Sequence, residues 1–187
     1  MKNQVESVIF PLPLPKEIAD YEGLISALPK ARRDKILRAP EGKKQQSLSA
    51  YLCLISAVKN KTGSLLLPEY EEGSFTQLKG GLYANISHTD TAVMAAVSET
   101  PVGVDVQSVR PVEEKVILRA LGEREGKAVL SSPDIPRAFA LAWAKKEALY
   151  KAHGVGLNGV AVSEKGYAYQ TGFGTDFAYA ICYKTEE

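Results

Sequence analysis

The residue pattern of this chain predicts an α+β fold in which helices pack on short antiparallel strands. Three observations carry the prediction. Short runs of alternating apolar residues occur in both halves, stretches with a helical apolar period lie between them, and Pro101 sits near the midpoint with a similar mix on either side. At 187 residues the chain suits one ordinary domain or two small ones. Its 45% hydrophobic content supports a core that a disordered chain would lack. No repeat is visible in the residues themselves. The expected division is an N-terminal half over 1–100 and a C-terminal half over 101–187.

Taken in order, Val5 to Phe10 reads as a first strand and Pro11 to Pro15 as an extended connector. Lys16 to Leu28 and Pro29 to Arg38 read as short helices. Gln45 to Asn60 reads as a longer helix that buries Leu48, Tyr51, Leu52, Ile55 and Val58. Gly80-Gly81 breaks the chain before Leu82-Tyr83-Ala84. Ala92 to Ser98 and Val102 to Gln107 read as strands joined through Glu99-Thr100-Pro101 by a hairpin-like turn. Val112 to Leu130 is mostly helical with a break near Gly122. Pro136 sits near the start of the main helix, where a missing N–H costs little. Val160 to Ser163, Tyr167 to Gln170 and Phe177 to Tyr183 are the expected tail strands, separated by Gly172 and Gly174.

Composition narrows the function classes. A net charge of +1 gives no bulk attraction to nucleic acid or to a membrane surface. Cys53 and Cys182 lie in apolar runs and read as buried small hydrophobes, which fits a reducing cytoplasm. Met1 to Pro15 lacks the basic-then-apolar form of a signal peptide. The longest apolar stretch, Leu48 to Val58, is interrupted by serines and a tyrosine and is too short to cross a bilayer. No phosphate-binding glycine loop of the nucleotide-binding types is present; Gly154-Val155-Gly156 is a fragment without that context.

Two segments carry the chemistry. In Val102-Gly103-Val104-Asp105-Val106-Gln107 a two-residue period sends Gly103 and Asp105 to one face and the valines to the other. An acid flanked by valines is costly to bury unless something neutralises it, and a cation is the natural candidate. In the helix, counted at about 100° per residue, one face gathers Glu147, Lys146 and Lys151 with Phe139, Trp143 and Tyr150. Ala138, Leu141, Ala142, Ala148, Leu149 and Ala152 form the expected packing stripe, with Lys145 inside it. Alone, the helix reads more readily as a surface helix with a Glu147–Lys151 pair worth about 0.3–0.5 kcal/mol, and Asp105 has the alternative of a strand-end turn residue. Together the segments suit a divalent metal and a phosphate-bearing substrate.

These residues resemble a known family, the 4′-phosphopantetheinyl transferases of the surfactin-synthetase-activating type. Its members look like G-[VI]-D-[VI]-x followed some forty residues later by W-[SAT]-x-K-E-[AS]-x-x-K. Here Gly103-Val104-Asp105-Val106 is followed by Trp143-Ala144-Lys145-Lys146-Glu147-Ala148-Leu149-Tyr150-Lys151, with the carboxylates 42 residues apart (147 − 105). Asn85-Ile86-Ser87-His88-Thr89 matches an upstream element, and His153-Gly154-Val155-Gly156-Leu157 a glycine-containing loop. The resemblance runs from about Asn85 to Leu157, with a weaker basic element near Arg32. It implies two similar α+β halves related by a pseudo-twofold, each with helices on a small antiparallel sheet and with coenzyme A in the cleft between them.

The chemistry implied is magnesium-dependent transfer of the 4′-phosphopantetheine arm of coenzyme A to a serine of an acyl or peptidyl carrier protein, releasing 3′,5′-ADP. By motif, Asp105 and Glu147 are the metal carboxylates, and Glu147 also helps deprotonate the serine. Lys146 and Lys151 match phosphate-contacting lysines, and His88 the histidine against the 3′-phosphate of coenzyme A. Catalysis thus falls to Glu147 and Lys151. Arg33 and Lys44, from the basic run Ala31 to Lys44, are the candidates for the nucleotide end of coenzyme A, beside the default of a solvated helix face. His153, at the helix end, favours the helix C-terminus electrostatically. Gln107 departs from the family, where an acid at this position is a third metal ligand; its carbonyl oxygen still offers a neutral ligand or orients a water. That departure motivates the alternative, a non-catalytic module that binds coenzyme A or a carrier protein on the same scaffold. The expected partner contact is mainly apolar with a few basic groups such as Lys115 or Arg119. The type resembled is usually a monomer, so a cytoplasmic monomer without nucleic-acid or membrane partners is expected.

Overall fold

In a computed structural model that describes residues 5–12, 21–71, 74, 76–157 and 161–185, two units of the same topology follow one another. The first runs β1 (Glu6–Pro11), α1 (Tyr21–Ala27), α2 (Lys30–Arg38), α3 (Glu41–Thr62), β2 (Tyr83–His88) and β3 (Ala92–Ser98). The second runs β4 (Val102–Ser108), α4 (Glu114–Leu121), α5 (Glu123–Leu130), α6 (Ile135–Ala152), β5 (Tyr167–Phe173) and β6 (Phe177–Lys184). Each builds a three-stranded antiparallel sheet with its last strand in the middle, β1-β3-β2 and β4-β6-β5. This is the α+β architecture of two similar halves that the sequence leads one to expect. The repeat lies in the order of elements and in their strand pairing, and therefore escapes comparison of the residues.

The two-residue period of β3 explains how the units meet. Val93, Ala95 and Val97 face α3, where Ala50, Cys53, Leu54 and Ala57 are buried. Ala92, Met94 and Ala96 face the other way and pack with Val102, Val104, Val106 and Ile181 of the second unit. The β4 valines therefore fill the seam between units, while Gly103 and Asp105 turn toward α6. Asp134 caps that helix by accepting the Arg137 N–H at 3.1 Å, and Pro136 stands in its first turn. A Cβ on Gly103 would run into the backbone oxygen of Ala148 and the backbone nitrogen of Ala152. Glycine at 103 thus lets the α6 backbone lie directly on β4.

Several expectations are corrected. Glu99-Thr100-Pro101 closes no hairpin: β3 pairs with β1 and β2, and β4 with β6, so this link passes from one sheet to the other. Both edges of β3 are already taken, and Lys184 N–H donates to Pro101 O at 3.0 Å, holding the link on β6. The packing stripe of α6 runs through Ala140, Ala144, Ala148 and Ala152, with Ala138, Leu141 and Ala142 only partly buried. Close approach to a sheet favours small side chains over large apolar ones, so alanines mark this face. Tyr83–His88 forms β2, absent from the sequence expectation because Asn85, Ser87 and His88 mask its alternation. Residues 161–164 lie outside any strand; Val160 of the expected Val160–Ser163 strand and Lys16 to Asp20 of the first helix fall outside the described residues. Gly122, with φ of 81°, separates α4 from α5 as expected.

Candidate active site

The free edge of β4 is held to β2 by side chains. On β2, Asn85 and Ser87 share a face two residues apart. Asn85 Oδ1 accepts the Val104 N–H at 3.1 Å, and Ser87 Oγ accepts the Val106 N–H at 3.3 Å. Both β4 amides would otherwise be buried without partners. The same Ser87 hydroxyl donates to Asp105 Oδ1 at 2.7 Å. Sequence reasoning gave Asn85 and Ser87 no role; their spacing on one strand face is the signal that points to one.

Asp105 is 2% exposed and surrounded by donors. Lys151 Nζ lies 2.6 Å from its Oδ1 and 3.6 Å from Glu147 Oε2, bridging the two carboxylates. Gln107 Nε2 donates to Asp105 Oδ2 at 2.5 Å. Burial, and then the charge of Asp105, push the Glu147 carboxyl above its ordinary range, against the pull of Lys151. The helix spacing of four residues puts Glu147 and Lys151 on one side of α6, and Gly103 brings that side down onto Asp105. A cavity of about 330 Å³ opens here, lined by Lys35, His88, Thr89, Gln107, Glu147 and Lys151 among others.

His88 ends β2 at the rim of this cavity. Burial lowers its imidazole pKa, and the charges of Lys43, Lys151 and Lys35 lower it further, partly countered by Asp105. Lys35 and Lys151 line the cavity beside His88, and their two ammonium groups make it a positive pocket suited to an anion such as phosphate. The basic group that reaches the cavity wall from α2 is Lys35; Arg33 and Lys44 are not among its lining residues. Arg32 instead lies over the rings of Tyr51 and Tyr70, 4.9 and 5.7 Å from their centroids. A neighbouring cavity of about 530 Å³ is lined by Arg32, Tyr70 and the shared Lys35.

Lys146 turns away from the carboxylates. Its Nζ donates to Ala120 O at 2.5 Å and lies 5.8 Å from the centroid of the Trp143 ring. It lines a larger cavity of about 520 Å³ with Gln107, Arg119, Phe139, Trp143 and Leu157. Gln107 thus stands on the walls of both cavities. Lys115 is exposed and pairs with Glu113 at 2.7 Å. His153 follows α6 as its C-cap, with Nε2 2.9 Å from Ser163 O. Cys53 and Cys182 are free and buried, and burial pushes both thiols up to about 12.

Among the described residues no group of three or more His, Cys, Asp and Glu side chains forms a ready metal cage. The donor set nevertheless fits magnesium, which is usually held by one or two carboxylates together with substrate phosphates. Asp105 and Glu147 supply two carboxylates on one cavity, and the Lys151 ammonium between them marks a place where positive charge is stabilised.

Comparison with known proteins agrees with the motif resemblance. The model of the 4′-phosphopantetheinyl transferase superfamily matches residues 101–168, the span from the start of β4 to the start of β5. Among curated proteins, the chain is 32% identical over 76 residues to the 4′-phosphopantetheinyl transferase psf-1 of Bacillus pumilus, covering 40% of this chain and 33% of that protein. It is 27% identical over 133 residues to the 4′-phosphopantetheinyl transferase gsp of Aneurinibacillus migulanus, covering 61% of this chain and 56% of that protein. The chain therefore spans about half or less of the length of these curated relatives. The resemblance to the 4′-phosphopantetheinyl transferase superfamily carried by the motifs is borne out. No described helix is long and apolar enough to cross a membrane.

Proposed function

We propose that this protein transfers the 4′-phosphopantetheine arm of coenzyme A to a serine hydroxyl of an acyl or peptidyl carrier protein, releasing 3′,5′-ADP in a magnesium-dependent reaction. The observation that carries this reading is the convergence of Asp105 and Glu147 on one cavity, bridged by Lys151 and faced by His88. Asp105 and Glu147 would hold the metal, with Gln107 beside them as a neutral neighbour. When bound, magnesium offsets the pyrophosphate charge and the charge that gathers on the leaving group.

The protein groups divide the remaining work. The pocket of His88, Lys35 and Lys151 binds phosphate, with His88 donating an N–H. Glu147, whose carboxyl is raised by burial and by Asp105, takes the proton of the carrier serine directly or through one water. The serine oxygen attacks the β-phosphorus, the bond from that phosphorus to the bridging oxygen breaks, and 3′,5′-ADP departs. Lys151 stays near the phosphates and balances the two carboxylates. Lys146, held by Ala120 O over Trp143, serves the larger cavity. Arg33 and Lys44 remain candidates for outer contacts to the nucleotide end. The reading places the reaction in a cytoplasmic monomer.

Purified protein incubated with magnesium, coenzyme A and a panel of apo carrier domains tests this. The expected product is a carrier whose intact mass rises by one phosphopantetheine, lost on omission of magnesium and in Glu147→Gln. No mass change with any carrier, together with coenzyme A binding that ignores the metal, would leave a binding module in its place.

A further inference from the structure

Among the described residues, the edge of β4 that carries Asp105 has no backbone ladder to the first unit. Polar side chains, stepping by two residues along β4, hold it instead. Asn85, 8% exposed, takes the Val104 N–H, and Ser87 takes the Val106 N–H. At the third step Ser108 Oγ lies 3.0 Å from Thr91 Oγ1 and donates to Asp90 Oδ1 at 2.8 Å. Thr91 Oγ1 in turn lies 3.0 Å from Thr89 Oγ1, whose residue lines the cavity of the carboxylates, while Ser108 lines the larger cavity. The seam therefore joins the walls of both cavities.

We infer that Asn85 and Ser108 are positioning residues, which set the height and register of β4 against β2. They thereby fix the carboxylates of the second unit opposite the phosphate pocket of the first. Neither touches the carboxylates in the structure. The inference rests on the proposed function for its catalytic consequence, and on the hydrogen bonds alone for its structural one. The phosphate pocket takes His88 and Lys35 from the first unit, whereas Asp105, Glu147 and Lys151 all belong to the second. Loosening the seam shifts one group against the other but leaves the carboxylates and Lys151 in mutual register. Coenzyme A capture then suffers more than turnover.

The test uses the full chain and the variants Asn85→Ala, Ser108→Ala and Ser108→Thr. Steady-state transfer is combined with backbone amide hydrogen exchange resolved at β4. Both alanine variants are expected to raise KM for coenzyme A about fivefold or more while kcat falls less than about threefold. Ser108→Thr, which keeps the hydroxyl, returns KM to near the wild-type value. In Asn85→Ala the Val104 amide exchanges at least about tenfold faster relative to the amides of β3. Unchanged KM in folded alanine variants, a fall in kcat with KM untouched, or no rescue by threonine overturns the positioning role. Should the wild-type chain transfer nothing, the proposed function fails on its own. Exchange then still decides the seam, because unaltered protection of Val104 in Asn85→Ala overturns it.

Discussion

In the first unit, α3 lies chiefly over the central strand β3, whereas α6 lies as much over the edge strand β4 as over the central β6. Both helices meet their sheets with small side chains, Ala50, Cys53 and Ala57 in one and Ala144, Ala148 and Ala152 in the other. The difference is Gly103. Without a Cβ at that point the α6 backbone settles on β4, and the edge of the sheet becomes the floor under Glu147 and Lys151. The same element order thus yields a closed hydrophobic layer in one half and a charged cleft in the other. A single strand position moves the helix from the middle of its sheet to the seam.

The strongest way to break this difference is to refill the gap. Gly103→Ala places a methyl against backbone atoms of α6, which have no rotamer to yield. We expect a stability loss of about 3 kcal/mol or more, read by urea unfolding, and loss of carrier modification. A contrasting change in the first unit, Cys53→Ala on α3, removes a buried thiol that lies 3.8 Å from Val93 O and is expected to cost about 1 kcal/mol. Equal costs for the two changes would remove Gly103 as the source of the asymmetry.

A second test asks what the charged cleft does to stability. The Glu147 carboxyl is raised above its ordinary value of 4.5, by burial first and by Asp105 second. The folded protein therefore holds this proton more tightly than the unfolded chain does. That contribution to stability is fully present below the unfolded value and is lost as pH rises through the higher folded one. At neutral pH and without metal, Glu147 ionised in the fold is a cost, so Glu147→Gln is expected to raise the thermal midpoint of the metal-free protein. The same variant should lose about 100-fold or more in transfer rate. A midpoint at pH 8 equal to or below that of the wild type would contradict this trade of stability for chemistry.

What could be read from the residues follows the same division. Asp105 is legible because an acid among valines is costly to bury, and Glu147 and Lys151 because motif order singles them out among charged helix faces that are otherwise common. Their convergence depends on Gly103, which sequence alternation places on the correct face without revealing how near the helix comes. The α6 stripe is set too far round the helix, on Ala138, Leu141 and Ala142, because alanines occur on several sides of it and only the close approach at Gly103 selects Ala140 and Ala144. β2 is hidden since three of its six residues are polar for the sake of the seam and the site. The false hairpin at 99–101 arises because neighbours in sequence favour pairing, while both edges of β3 are filled by distant β1 and adjacent β2. That Lys35 reaches the cavity wall depends on the rotation of α2, which a nine-residue helix with basic groups on several sides does not declare.

The smallest expected effect sharpens the comparison from the apolar side. Asp105, a buried carboxylate of the second unit, has hydrogen-bond partners on both its oxygens. In the first unit the Ser49 hydroxyl on α3 is fully buried and, among the described residues, has no hydrogen-bond partner. Leaving a buried hydroxyl unpaired costs about 1 kcal/mol or more, and nothing in the proposed chemistry uses Ser49. Ser49→Ala should therefore stabilise the protein by about 1 kcal/mol with carrier modification unchanged. Unfolding in urea together with the transfer rate would read both. A destabilised Ser49→Ala would mean that the layer under α3 contains a polar contact for this hydroxyl and is less purely apolar than its counterpart suggests.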